Sequence, residues 1–382
     1  MKNPSEKKQE YKATMFNGVY TKYSSKLADK PPPIGGKMQT NDIIRVGLIG
    51  FGFSAQTFHL PFLTAENGFN ITAVSSSQAE HVQNTLPNAQ IYSQAQALIA
   101  QANVDLVVIT APNDVHYSLA ELALQHNKHV LVEKPFVTTS AQGEALIALA
   151  KQQQRVLSVY QNRRWDGDFL TVKHLVDNQT LGNIKYFESH FDRFRPQVRQ
   201  RWREQASEGG GILYDLGPHL IDQCLQLFGM PEKITAICEI TRPGSNNIDF
   251  FNMMLHYPSM LASLQASLHC AGPNVRYKVQ GDIGNYEKFG LDPQEDRLKA
   301  GVKPNTLDWA AENSDHYGKL YSADNVENIA TITGGYQTFF KELHSAICQG
   351  TAAPVSAQDA LLTIKLIELA MQSSQQQKTL KI

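Results

Sequence analysis

The sequence predicts an α/β protein of two domains, a doubly wound parallel sheet followed by an α/β domain with a mostly antiparallel sheet. Three observations predict it. From Ile43 to Tyr160 short β-rich runs alternate with helical stretches, the pattern of right-handed βαβ units. A glycine-rich loop joins the first run to the first helix. After Tyr160 the alternation gives way to strand-like runs separated by Pro243-Gly244, Pro258-Ser259 and Gly272-Pro273. A length of 382 residues suits two domains, placed at 43–161 and 162–382.

The first 42 residues stand apart. They hold eight lysines and four acids, a local charge of +4 that leaves −5 for the rest. They end near Pro31-Pro32-Pro33-Ile34-Gly35-Gly36 and show no sustained periodicity, so a flexible extension or a tag is expected, with Met38 an alternative start. Ile43–Ile49 then reads as a strand. It runs into Gly50-Phe51-Gly52-Phe53-Ser54-Ala55 and a helix toward Glu66 that Pro61 makes irregular. Further strands are expected at Asn70–Val74, Gln90–Tyr92, Val104–Thr110, His129–Val132 and Val156–Tyr160. Val104–Thr110 is almost continuously apolar, as a strand buried on both faces should be. Helices are expected between them.

The second domain opens on an expected helix from Trp165 to Asn178 and a strand from Asn183 to Asp192. A helix is expected to begin at Pro218, because proline suits the first helical position, and to run to Phe228. Five strand-like runs lie between Lys233 and Phe289, and a short helix is expected near Asp292–Gly301. Two amphipathic helices, Gly334–Gln349 and Ser356–Ser373, close the chain.

The loop at Gly50 has the form G-x-G-x-x-A. The first glycine makes a tight turn, the second admits a close ligand, and a small third residue packs helix on strand, a job that Ala55 can do. Following a strand and opening a helix, the loop predicts a dinucleotide site, with pyrophosphate near the helix N-terminus. NAD sites usually carry an acid at the end of the second strand. Here stand Ser75-Ser76-Ser77. Hydroxyls do not repel a 2′-phosphate and can donate to it, so NADP is favoured, with NAD possible; a serine turn without a cofactor role is the alternative.

Three segments carry candidate chemistry. Glu133-Lys134-Pro135 falls at the carboxyl edge of the fifth strand, where open α/β sheets bind ligands. Lys134 there is either a donor to a substrate oxygen or a loop lysine paired with Glu133. In Gly209-Gly210-Gly211 through Asp222, Asp215 is expected before the helix and His219 in its first turn. The pair reads as an oriented general base or as helix-capping residues. Asn162-Arg163-Arg164-Trp165 sits at the hinge and reads as cofactor or polyol contacts or as an interdomain ion pair.

Together with Thr110-Ala111-Pro112-Asn113-Asp114-Val115-His116, these motifs resemble the Gfo/Idh/MocA oxidoreductases over roughly Ile43–Leu380. The closer likeness is to NADP-dependent scyllo-inositol dehydrogenases, around Asn162–Asp168, Phe187–Glu204 and Gly290–Arg297. The resemblance implies a Rossmann domain, then an α/β domain with a large, mostly antiparallel open sheet. It implies Lys134, Asp215 and His219 as catalytic residues. Cofactor contacts are expected from Gly50, Gly52, Phe53, Ser54, Ala55, Ser75, Ser76, Thr110, Pro112, Asn113, His116, Glu133 and Lys134. Substrate contacts are expected from Arg164, Trp165, Asp215 and His219. It also implies a polyol or sugar substrate and a homodimer or homotetramer built through the C-terminal sheet, and it allows the last helices to pack back on the Rossmann domain; the runs Phe250–Leu255 and Leu261–Leu268, with apolar residues for both sides, lead to an apolar outer face being expected on that sheet. A glycosidase using the cofactor transiently, or a non-catalytic dinucleotide sensor, are the alternatives.

Composition bounds the rest. With 35 Lys+Arg against 36 Asp+Glu, no broad nucleic-acid footprint and no polybasic membrane tether is expected. Four scattered cysteines without CxxC point away from zinc or a disulfide framework and toward a reducing cytoplasm. No metal site is expected.

Overall fold

The computed structural model describes residues 43–198 and 209–382. The expected extension, with Met38, lies outside the described residues, as does the end of the Phe187–Glu204 stretch.

Six strands form the first sheet: β1 (Ile44–Ile49), β2 (Phe69–Ser75), β3 (Gln90–Tyr92), β4 (Leu106–Ile109), β5 (His129–Val132) and β6 (Leu157–Val159). They lie in the order β3-β2-β1-β4-β5-β6, and every pairing is parallel. The helices between them are α1 (Leu60–Ala65), α2 (Ala79–Thr85), α3 (Ala95–Gln101), α4 (His116–Gln125) and α5 (Ser140–Gln152). Every residue of β4, β5 and β6 is buried, which is why these strands read as apolar runs rather than alternating ones. Strand order reverses between β1 and β4, so their carboxyl ends flank the crevice where such sheets bind ligands. The irregularity expected at Pro61 is a π-helical turn, Ala55–His59, that runs into α1. Thr139 and Gln142 form a reciprocal capping box that starts α5 and fixes the exit of the Lys134 loop.

The second half contributes α6 (Gly167–Asp177), β7 (Ile184–His190), α7 (Gly211–Phe228), β8 (Lys233–Glu239), β9 (Phe250–His256), β10 (Leu261–Ser267), β11 (Val275–Gly281) and β12 (Asn285–Phe289). It continues through α8 (Gln294–Lys299), β13 (Gly318–Tyr321), β14 (Val326–Ile329), α9 (Gln337–Gln349), α10 (Ala357–Gln376) and β15 (Leu380–Lys381). Its nine strands form one sheet, β14-β13-β12-β11-β7-β10-β9-β8-β15, antiparallel except at the β7–β10 pair. Phe251, Met253 and Leu255 of β9, with Ala262, Leu264 and Ala266 of β10, point inward against α7, while α10 packs on β8.

Two expectations need correction. The outer face is mixed rather than apolar: beside exposed Ile237 and Leu261, Asn252 bonds Ser263 and Gln265, and Lys278 faces Glu287. The helix expected at Pro218 begins seven residues earlier, at Gly211, and Pro218 lies inside it. One missing N–H is tolerated because the helix is buried along most of its length, so tertiary packing outweighs the lost hydrogen bond. Asp215 and His219 are therefore both helical. His219 lies beyond the first turns of α7, so it is not a helix-capping residue. Strands β13, β14 and β15 escaped the sequence reading; they are short and largely exposed at or near the sheet edges, where polar residues replace the apolar pattern.

Candidate active site

The glycine loop closes against the fourth strand. Gly50 has φ +89°, and a Cβ there would meet the Thr110 hydroxyl at 2.9 Å and carbonyl at 3.1 Å, so no other residue fits. Thr110 pins the loop by donating to the Ile49 and Gly50 carbonyls, at 2.9 and 3.2 Å. Gly52 differs: a Cβ built on it meets nothing within 4 Å. Its backbone faces open space, as close approach of a ligand requires. Ala55 is fully buried, packing the turn on the sheet, and Phe53 is 58% exposed beside it. These residues fit a dinucleotide.

At the end of β2, Ser75 is buried, and its carbonyl accepts the Gly50 amide at 2.9 Å. Ser76 accepts the Gln78 amide through its hydroxyl oxygen at 3.0 Å, which leaves its own proton free to donate. Ser76 and exposed Ser77, rather than Ser75, present hydroxyls here. His81 lies edge-on to Phe51, 5.4 Å between centroids, and its Nε2 meets the Gln56 amide oxygen at 3.0 Å.

Glu133 and Lys134 follow β5. Glu133 is buried, yet three groups hold it ionised. Ser54 donates to Oε1, His59 Nε2 meets the same oxygen at 2.8 Å, and the Lys134 amide donates to Oε2 at 3.0 Å. Burial works to raise its pKa, but the His59 and Ser54 hydrogen bonds and the Lys134 charge outweigh burial and hold it at about 2. The Lys134 ammonium crosses to the second half, donating to the Asp215 carbonyl at 2.7 Å and to Asp215 Oδ1 at 2.9 Å.

Asp215 and His219 lie four residues apart on α7 and so share a helix face. His219 is 5% exposed, and its Nδ1 has no hydrogen-bond partner among the described residues. Burial, then the charges of Lys134 and Arg163, hold its imidazole well below the usual histidine range; Asp215 opposes them. The ring is uncharged at neutral pH, the form that can accept a proton.

Lys134, Asp215 and His219 thus converge. Other expected contacts are placed differently. His116 is fully buried with Nδ1 2.8 Å from the Pro135 carbonyl and Nε2 3.0 Å from that of Ala111. It braces the two loops and turns neither nitrogen to the cleft. Asn113 donates to the Gly209 carbonyl at 2.9 Å, tying the exposed Pro112 turn to the approach to α7. Arg164 is spent on a two-pronged pair with Asp222, 2.8 and 2.7 Å, and on Asp359 at 3.2 Å. Trp165 packs edge-on against Phe339 while its carbonyl accepts from Gln294 and Gly335. Arg164 therefore gives its guanidinium to carboxylates of α7 and α10 rather than to the cleft. It is the preceding arginine, Arg163, whose charge reaches His219. His59, the partner of Glu133, escaped the sequence reading because a lone histidine behind a glycine loop carries no local signal. Among the described residues no cluster suits a metal ion, and no helix is long and apolar enough to cross a membrane.

Comparison with known proteins agrees with this layout. Residues 44–161 match the family model described as "Oxidoreductase family, NAD-binding Rossmann fold", and residues 173–382 match "Oxidoreductase family, C-terminal alpha/beta domain". The chain belongs to the Gfo/Idh/MocA oxidoreductases and is a dehydrogenase-type enzyme of that family. It is 43% identical to the uncharacterized oxidoreductase YdgJ of Escherichia coli, over 89% of this chain and 99% of that one. It is 36% identical to scyllo-inositol 2-dehydrogenase (NADP(+)) IolW of Bacillus subtilis, over 89% and 96%. The solved structure of the putative oxidoreductase yvaA from Bacillus subtilis superposes with a TM-score of 0.87, at 36% identity over 90% and 99% of the two chains.

Proposed function

We propose that the protein transfers a hydride between NADP(H) and a secondary alcohol of a cyclic polyol or sugar, inositol-like or aldose. The observation that carries this is the ammonium of Lys134 at 2.9 Å from Asp215, with uncharged His219 one turn further along the same face of α7. When bound, the nicotinamide supplies the hydride acceptor. Gly52 and Ser54 would line the approach for the pyrophosphate of the same cofactor. His219 accepts the hydroxyl proton as the carbinol is oxidised. Lys134 donates to the same oxygen and stabilises the negative charge that develops there. Asp215 fixes the lysine. Burial of His219 keeps competing water from the proton it takes. NADP, with NAD as the weaker alternative, is favoured by Ser76 and Ser77, where no acid stands to repel a 2′-phosphate. The name of IolW, an NADP-dependent enzyme of scyllo-inositol, supports both the cofactor and the substrate class.

The test is a screen of inositols and aldoses with NADP and with NAD, followed at the absorbance of reduced nicotinamide. Reduction of NADP by at least one of these alcohols is expected. No reduction with any would remove the reading.

A further inference from the structure

The two oxygens of Glu133 serve different segments. Oε2 accepts the Lys134 amide at 3.0 Å, while Oε1 accepts Ser54 and meets His59 Nε2 at 2.8 Å. A carboxylate held ionised can only accept, so Nε2 carries a proton and donates. The two donors to Oε1 are unequal. Ser54 is half-buried on the loop expected to receive the pyrophosphate, where a phosphate oxygen competes for its single proton. His59 is fully buried, its ring centroid 4.4 Å from that of Tyr160 and 6.0 Å from that of Phe340. Its bond to Glu133 meets no competition from solvent. The local sequence explains how His59 comes to lie there. Pro61 has no N–H, and its ring crowds the carbonyl four residues back, at Thr57. The chain widens into the π-helical turn Ala55–His59, in which the Leu60 amide donates to the Ala55 carbonyl, five residues back. The Phe58 carbonyl is taken by the Tyr160 hydroxyl at 2.8 Å. The turn that departs from α-helical geometry is thus the one that carries His59 to Glu133, and such departures gather at functional sites.

We propose that His59 is a positioning residue for hydride transfer: its hydrogen bond fixes the Glu133 carboxylate, which fixes the Lys134 backbone and so the place of the ammonium that meets Asp215. The lysine is held at both ends, at its amide by Glu133 and at its ammonium by Asp215. Without the His59 donor, the buried carboxylate loses its solvent-free anchor, and the Lys134 amide loses a fixed acceptor. Lys134 donates to the reacting oxygen, so a shift of its backbone misplaces the donor, and a displacement of about 1 Å costs on the order of 10²-fold in rate. This deepens the dehydrogenase reading and rests on it.

The experiment compares two variants of the full chain. His59→Phe keeps a ring between Tyr160 and Phe340 but removes the donor. His59→Gln keeps an N–H donor but gives up the ring. Both are assayed with NADP and the inositols and aldoses, scyllo-inositol and D-glucose first, and urea unfolding supplies the folded fraction. Per folded molecule, His59→Phe is expected to lower kcat about 10- to 100-fold, with the polyol KM and the NADP affinity each within about threefold of wild type. His59→Gln should recover most of the rate. In a Lys134→Met background the loss from His59→Phe should shrink to less than about threefold, because both changes remove one function. A His59→Gln variant as slow as His59→Phe, or slower, overturns the proposal, since packing rather than the hydrogen bond would then decide the rate. So does a full His59→Phe loss on top of Lys134→Met, or a loss confined to KM or to NADP affinity. An active wild type matched by His59→Phe removes the role of His59 and leaves the dehydrogenase reading standing. A wild type that reduces NADP with no inositol or aldose removes both.

Discussion

The two walls of the cleft are built on opposite terms. On the parallel-sheet wall most polar groups near the cleft are consumed: Glu133 takes three donors, Thr110 bonds two carbonyls, and both nitrogens of His116 meet backbone oxygens, while His59 Nδ1 is without a partner among the described residues. On the α7 wall valences stay open. His219 leaves Nδ1 without a partner among the described residues. Unmet hydrogen-bonding capacity in a buried place costs stability, and at His219 it falls one helical turn from the Lys134–Asp215 pair. Lys134 from the sheet wall meets Asp215 of the helix wall, and the proposed chemistry falls where the two walls meet.

The sharpest way to break this contrast is His219→Ala. It is expected to lower kcat by about 10²–10⁴-fold with dinucleotide affinity nearly intact, because a general base acts in the transition state. Steady-state rates and quenching of reduced-cofactor fluorescence check it; a loss confined to cofactor binding would move His219 to the positioning side. Arg164→Met probes a brace. It leaves Asp222 buried without its main partner, so about 3–5 kcal/mol of stability should go, read by urea unfolding, while the rate per folded molecule stays close to normal. A collapsed rate at full stability would return Arg164 to the substrate.

Glu133 gives a pH signature. Its pKa is depressed to about 2, so the stabilisation it contributes is complete above the ordinary carboxylate value and fades as pH falls from about 4.5 toward 2. On the order of 3 kcal/mol should be lost across that window. Denaturant midpoints of wild type and Glu133→Gln, compared at several acid pH values, should converge as pH drops; parallel curves would show that Glu133 is no anchor. The smallest effect concerns the cofactor. Wild type is expected to prefer NADP over NAD by at least about tenfold in kcat/KM, ~1.4 kcal/mol, and Ser76→Asp to reverse this. Equal use of both by wild type would leave Ser76 as a turn residue.

Much of the parallel half was legible because each layer of its sequence points the same way: apolar runs for buried strands, a glycine loop at the first turn, and Pro61 where the helix is irregular. The motif at Glu133-Lys134-Pro135 is local and could be read directly. The second half was legible in its strands with alternating residues, such as Phe250–His256, and illegible where packing decides. Nothing local shows that Gly211 rather than Pro218 begins α7, or which of two adjacent arginines turns inward. Arg163 and Arg164 differ only in the partners supplied by distant segments, Asp166 and Glu295 for one, Asp222 and Asp359 for the other.

The ring of Phe340 on α9 lies flat against Phe62 of α1, 5.2 Å between centroids and 9° from parallel, and meets Phe69 of β2 edge-on. Nearby, the β6 edge is bridged by Ser356, and Ser158 donates to the Val355 carbonyl at 2.8 Å. The first sheet thus borrows part of its last layer from the far end of the chain. During synthesis, Phe62, Phe69 and the outer edge of β6 lack these covers until the final two helices emerge. The nucleotide-binding half matures last in the places where it was begun first, and an incomplete chain carries an uncovered aromatic patch beside an open strand edge, the combination that invites pairing with another chain.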